Sequence, residues 1–188
     1  MLYGERNEVL RALYKRSIDN QDVKNIAYVD ESGIDHAITR EYGWGKRGEP
    51  LMGERSGKAY GRTSMVAGLC NKQILAPLCF SGHTDRELFL HWLEFCLLPE
   101  LKPGQVVVMD NASWHKSQKV IEILGRKNCT AFFLPAYSPD LNPIEYYWSW
   151  LKAKVRCLLD PHTRFTHALY SAFCLDYSST PAPIRAAN

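Results

Sequence analysis

The stretch from residue 105 to 137 constrains the fold most. QVVVMDNAS is a short, strongly apolar run that ends on Asp110. SQKVIEILGRK then carries apolar residues at helical spacing up to Gly125, and TAFFLPAY is a second short apolar run. Strand, helix, strand suggests a parallel crossover, two strands side by side joined by one helix.

The other segments fit around that unit. In MLYGERNEVLRALYKRSIDN, Val9, Leu10, Leu13 and Tyr14 recur at helical spacing, so residues 1–23 are read as an N-terminal helix or linker. NIAYVDES has the pattern of a short buried strand, Ile26 to Val29, which is expected to end on Asp30 and Glu31. Residues 36–48 alternate and then turn at glycine. SMVAGLC and QILAPLCF form a hairpin around Asn71 and Lys72, so the first half reads as an antiparallel meander. TDRELFLHWLEFCLLPEL opens with a Thr-x-x-Glu capping box at Thr84 and Glu87 and runs as a helix to about Pro99. SPDLNPIEYYWSWLKAKVRCLL turns and becomes a long helix, with Asn142 as N-cap, Pro143 at the first helical position and Glu145 in the first turn. Residues 24–160 form the expected core domain, and 161–188 a C-terminal helix with a frayed tail, SSTPAPIRAAN.

Composition narrows the class without naming a function. A chain of 188 residues with 46% hydrophobic and 23% charged residues folds as one domain with a real core. A net charge of +3 and a pI near 8.5 permit a polyanionic partner but do not indicate one. There is no run of 18 apolar residues and no signal-like stretch in MLYGERNEVL, so a cytoplasmic protein without a membrane partner is expected. The six cysteines never form CxxC and mostly have apolar neighbours, which reads as buried, reduced thiols and not as a zinc site.

Three acids occupy comparable places: Asp30 at a strand's exit, Asp110 at another's, and Glu145 at the start of a helix that follows a third strand. If the strands of Asp30 and Asp110 are central neighbours, their side chains converge at one edge with Glu145 facing them. Hard divalent cations take carboxylates, water and phosphate oxygens without histidine or cysteine. Two such ions, about 4 Å apart, support in-line displacement at phosphorus. Clustered carboxylates also raise one another's pKa values unless cations compensate. Each acid has a plainer reading by itself: Asp30 as a turn residue, Asp110 as a strand terminator with Asn111, Glu145 as a capping-box partner of Asn142. Glu31 is set aside as a ligand because a continuing strand turns it to the opposite face.

The motifs YVDES with Asp30, VVVMDNASWH with Asp110 and LPAYSPDLNPIEYYW with Glu145, in that order, resemble those of the DDE transposases of bacterial insertion sequences related to mariner elements, within the RNase H-like integrase superfamily. The resemblance covers roughly residues 24–160, and 34 residues separate Asp110 from Glu145, as in that group. It implies an α/β, RNase H-like fold, a mixed five-stranded sheet with helices on both faces. It also implies cleavage of element ends and strand transfer into target DNA, dependent on two Mg2+ or Mn2+ ions held by Asp30, Asp110 and Glu145. A homodimer assembled on DNA and an N-terminal helix-turn-helix segment, encoded separately or missing, follow from the same resemblance. Asn111 and His115 are candidates to orient Asp110 or touch a phosphate.

The basic residues Lys46, Arg47, Arg55, Lys58 and Arg62 in the glycine-bearing stretch 44–62 read either as a DNA-contacting loop or as a solvated surface, and Lys152 on the face of Glu145 is a further candidate DNA contact. Tyr146, Tyr147, Trp148 and Trp150 are assigned to packing. Two other readings compete, a non-catalytic regulatory remnant and another RNase H-like nuclease.

Overall fold

A computed structural model describes residues 6–36, 45–48, 61–159 and 162–175. Five strands, β1 (Ile26–Asp35), β2 (Arg62–Cys70), β3 (Gln73–Ser81), β4 (Val106–Met109) and β5 (Thr130–Phe133), form one sheet in the order β3-β2-β1-β4-β5. The β1–β2 and β2–β3 pairs are antiparallel, and the β1–β4 and β4–β5 pairs are parallel. This is the expected meander joined to the expected crossover. The β2–β3 hairpin turns on Asn71 (φ 48°) and Lys72 (φ 63°). Two consecutive positive φ values match the right-handed twist of the flanking strands.

Alternation along the strands sorts the core into two layers. Ala27 and Val29 of β1, Val66 of β2, and Val107 and Met109 of β4 face α2 (Arg86–Trp92), its continuation through Leu93–Leu97 into α3 (Leu98–Glu100), and α4 (Gln118–Gly125). Their partners there include Phe89, Trp92, Leu93, Leu97, Val120 and Leu124, all at most 1% exposed. On the opposite face, Met65, Ala67 and Leu69 pack against α5 (Ile144–Leu158) and α6 (Phe165–Phe173) through Ile144, Trp148, Leu151 and Leu169. Beside them, Ile26 and Val108 meet Tyr14 of α1 (Glu8–Asp19) and Leu134. Helices thus cover both faces, as a sheet with parallel strands requires.

β3 carries Pro77 and still pairs with β2 because the register slips there, from Val66↔Leu78 to Gly68↔Leu75. Ala76 takes a positive φ of 47° at this bulge. Its backbone is satisfied from the helical layer: the Glu100 carboxylate accepts from Ala76 N–H at 3.0 Å, and Trp92 Nε1–H donates to Ala76 O at 2.7 Å. A proline that removes a ladder donor is tolerated at such an interruption.

Four local expectations need correction. β1 continues past Asp30 to Asp35 because β2 pairs with it along that whole length, so Asp30 lies mid-strand and not at an exit. The α2 N-cap is Asp85 and not Thr84. Asp85 is extended (φ −109°, ψ 174°) and its carboxylate accepts from Leu88 N–H at 2.8 Å, which also sets negative charge at the helix N-terminus. Asn142 is extended before α5, but its side chain makes no capping hydrogen bond and its Oδ1 is buried without a partner. Of the six free cysteines only Cys70 and Cys129 are buried. Cys79 lies on the edge strand, and Cys96, Cys157 and Cys174 are exposed as well, since an apolar neighbour in sequence is not a neighbour in space. Most of the alternating stretch 36–48 and the tail after 175 lie outside the described residues. Among the described residues no helix is long and apolar enough to cross a membrane.

Candidate active site

Sheet register brings the first two acids together. β1 and β4 pair through Tyr28↔Val108, and Asp30 and Asp110 each stand two residues further along neighbouring parallel strands. Alternation places both on the face of Tyr28 and Val108, with strand axes about 4.8 Å apart. β4 ends at Met109 while β1 runs on, so Asp110 opens out of the sheet beside a strand that is still paired on its other edge. Asp30 is buried, 8% exposed, and Trp148 of α5 donates its indole N–H to Asp30 Oδ2 at 3.2 Å. Burial, reinforced by the charges of Glu145, Glu31 and Asp110, pushes the Asp30 carboxyl up to about 8.

Asp110 is held differently. His115, 1% exposed, donates from Nδ1 to Asp110 Oδ1 at 2.5 Å, and Ala112 N–H donates to the same oxygen at 2.9 Å. Burial pushes the Asp110 carboxyl up, but these hydrogen bonds and the charge of His115 outweigh it and leave Asp110 below the ordinary carboxylate range. His115 Nε2 faces Glu31 Oε1 at 3.2 Å. Burial lowers the imidazole pKa, yet the hydrogen bonds and charges of Asp110 and Glu31 carry it up to about 9, so at neutral pH it is an imidazolium that donates to both carboxylates. Phe89 of α2 packs on its ring, 4.3 Å between centroids.

Glu145 sits in the first turn of α5. The capping-box alternative fails because the N–H of Asn142, which such a glutamate would take, donates instead to Pro139 O at 2.9 Å. Burial raises the Glu145 pKa, partly offset by Lys152. Lys152, half-buried one face along the same helix, is pushed down by burial and by the charges of Arg62 and Arg156 against the pull of Glu145 and Asp30. Arg62, Lys152 and Arg156 therefore form a basic group beside the acids.

The remaining basic candidates scatter. Lys46 and Arg47 are exposed, and Arg55 and Lys58 lie outside the described residues. Arg62 belongs to β2 and not to a loop. Its guanidinium covers Gly33, where any Cβ would collide with it, and reaches Asp35 at 3.4 Å. Asn111 is exposed. Tyr147 and Trp148 are buried as expected of packing residues, whereas Tyr146 is 46% exposed because its helical position turns away from the sheet.

Residues 25–162 match the family model described as DDE superfamily endonuclease. The chain belongs to that family. The Tcb2 transposable-element transposase of Caenorhabditis briggsae is 28% identical over 166 residues, covering 81% of this chain and 61% of that protein. Among solved structures, the Mos1 strand transfer complex superposes with a TM-score of 0.71 at 16% identity, covering 96% of this chain and 57% of the Mos1 chain. The mariner Mos1 paired end complex with Mg gives 0.69 at 19% identity, covering 91% and 55%. The fold is accordingly RNase H-like. This chain spans about three fifths or less of each of these relatives.

The donor set of this DDE domain suits a hard cation. Asp30 and Asp110 share one face of neighbouring strands, the charge of Glu145 acts on Asp30, the pKa values of Asp30 and Glu145 are raised, and among the described residues no salt bridge reaches Asp30 or Glu145. No three Asp, Glu, His or Cys side chains among the described residues already close into a coordination shell.

Glu31 is the residue that sequence reasoning missed. Alternation correctly turns it away from Asp30, but His115 arrives on that side and links Glu31 back to Asp110. The only signal was the pair of acids in YVDES together with a histidine five residues after Asp110.

Proposed function

We propose that this chain is the catalytic domain of a DNA transposase, performing divalent-metal-dependent strand cleavage and strand transfer. Asp30, Asp110 and Glu145 are the metal ligands in this reading, for a pair of Mg2+ or Mn2+ ions. The observation that carries it is Asp30: a carboxyl buried on the face it shares with Asp110, held near 8 by burial and by the charges of neighbouring acids, with no salt bridge to it among the described residues. A carboxylate so placed gains most from a bound cation, because the cation restores the charged form that burial opposes. The two transposase relatives and the Mos1 complex with Mg support the same chemistry.

Held by Asp30, Asp110 and Glu145, such ions would supply activation of a water or a 3′ hydroxyl and charge stabilisation for the leaving oxygen at phosphorus. The protein's own part is positional. Trp148 holds Oδ2 of Asp30. His115, anchored by Glu31 and packed on Phe89, holds Oδ1 of Asp110 and leaves Oδ2 to the site. Arg62, Lys152 and Arg156 supply positive charge on the side of Glu145 where a phosphate backbone would run. Element ends and target DNA are the substrates in this proposal. Pairing of two copies on DNA, and recognition of the ends by a helix-turn-helix segment outside this fold, belong to it as well.

The test is nicking of supercoiled plasmid with Mg2+ or Mn2+. Wild type is expected to nick, and Asp30→Ala, Asp110→Ala and Glu145→Ala each to lose at least two orders of magnitude. Nicking that survives all three substitutions overturns the assignment. A folded wild type that neither nicks nor binds Mn2+ favours a non-catalytic remnant.

A further inference from the structure

Helix α1 lies before residue 25, where the family match begins, yet its inner face reaches the loop that launches the helix of Glu145. Arg11 is 5% exposed. Its Nη1 donates to Asp140 Oδ1 at 3.1 Å and its Nη2 to Asp140 Oδ2 at 2.6 Å, and Arg6 Nη2 adds a third contact to Oδ1 at 2.9 Å. Glu8 stands behind the fork, 3.4 Å from Arg11 Nε. A forked guanidinium–carboxylate pair fixes orientation as well as distance. The pairing raises the Arg11 pKa and lowers that of Asp140. Next to Asp140, Leu141 packs on the cluster of Tyr14, Ile26, Val108 and Leu134, so α1 grips this loop by a polar and an apolar contact together.

The gripped loop needs an outside hold. Asp140 and Leu141 lie in the 3-10 turn Pro139–Leu141, which has no side-chain cap, and α5 has none either. Asn142 Oδ1 is buried without a hydrogen-bond partner, and Ser138 Oγ–H donates to Ala136 O. From Pro139, the residue before Asp140, the backbone bonds run to the site: Asn142 N–H to Pro139 O at 2.9 Å, then Glu145 N–H to Asn142 O at 3.1 Å. The helix start that carries Glu145 is thus set by its own backbone, by the buried Ile144 and by what α1 does to Asp140.

The geometry points to Arg11, assisted by Arg6, as a positioning residue for Glu145 that acts through Asp140, which makes α1 a working part of the metal site although it stands outside the matched family domain. This rests on the proposed role of Glu145 as a ligand. A buried arginine is costly unless paired, and both terminal nitrogens of Arg11 are spent on the loop before Glu145, while its Nε has the 3.4 Å ion pair with Glu8 but no hydrogen bond. Residues that orient metal ligands from behind change affinity by about 10–100-fold when removed.

The experiment is Mn2+ binding to the full chain, read from the electron paramagnetic resonance signal of free Mn2+, with folding and melting temperature checked for each variant. Arg11→Gln and the isosteric Asp140→Asn are expected to weaken binding about 10-fold, and Arg11→Lys to recover part of the loss. Val120→Ala is the stability control, since it opens a cavity in the layer on the opposite face, and it is expected to bind as wild type does. If Arg11→Gln does not fold, Asp140→Asn decides. Wild-type binding by a folded clamp variant, or an equal loss in Val120→Ala, overturns the positioning role. If Glu145→Ala still binds as wild type does, or wild type does not bind, the ligand assignment itself fails and the clamp falls with it. Loss in Glu145→Ala without loss in the clamp variants removes the clamp alone.

Discussion

Replacing Asp30 with asparagine should stabilise the metal-free protein, by an amount that grows with pH. The Asp30 carboxyl is 8% exposed, feels the charges of Glu145, Glu31 and Asp110, and titrates near 8 in the fold against an ordinary value of 3.8. The fold therefore favours its protonated form. The stability carried by that form is intact below the unfolded value and is lost as pH rises towards and through about 8. Within that window each pH unit costs about 1.4 kcal/mol per proton. Between pH 5 and pH 7 wild type should lose about 3 kcal/mol relative to Asp30→Asn, which mimics the neutral acid and can still accept from Trp148. In a chain of this size that corresponds to roughly 6–12 °C in Tm. The assay is thermal unfolding in a chelator at pH 5, 6, 7 and 8. A gap that widens with pH and closes for wild type on adding Mn2+ meets the expectation. Two melting curves that track one another across this range would refute the claim that Asp30 is held neutral by its surroundings.

Three further substitutions test the frame that positions the site. Lys72→Gly should stabilise the β2–β3 hairpin by about 0.5–1 kcal/mol, because glycine takes the φ of 63° without strain; a loss of stability in urea unfolding would contradict this reading of the turn. On α4, Leu124→Ala at a fully buried position should cost about 2–5 kcal/mol. Ile121→Ala on the same helix, where Ile121 is 47% exposed, should stay within about 0.5 kcal/mol, and equal losses would misplace the helix face.

The crossover from QVVVM through α4 to TAFF was legible because its apolar runs have the length and period of a strand, a helix and a strand, and each was then buried on the side that its period requires. The hairpin at Asn71 and Lys72 was legible for a similar reason: a two-residue turn between alternating runs leaves the backbone little choice. Boundaries were less so. Whether Asp30 ends β1 depends on how far β2 accompanies it, and whether Thr84 or Asp85 caps α2 depends on which side chain reaches Leu88 N–H. Both depend on geometry between segments, not on residue type.

The order of the three acids, their distance along the chain and the strings around them are properties of the sequence, and they lead by themselves to oxygen-ligand chemistry and to the DDE resemblance. What only the tertiary structure decided is how each acid is treated. The three carboxylates have similar ordinary pKa values. One is buried beneath an indole and pushed up to about 8, one is pulled down by a buried imidazolium, and one is raised at the start of a helix whose launching loop is held by an arginine from α1. Glu31 and Arg11 join the site through contacts that span 84 and 129 residues of chain. Periodicity is a local property and says which way a side chain points. Burial and charge pairing are set by what arrives on that side from elsewhere, and only the folded sheet with its two helical layers fixes that.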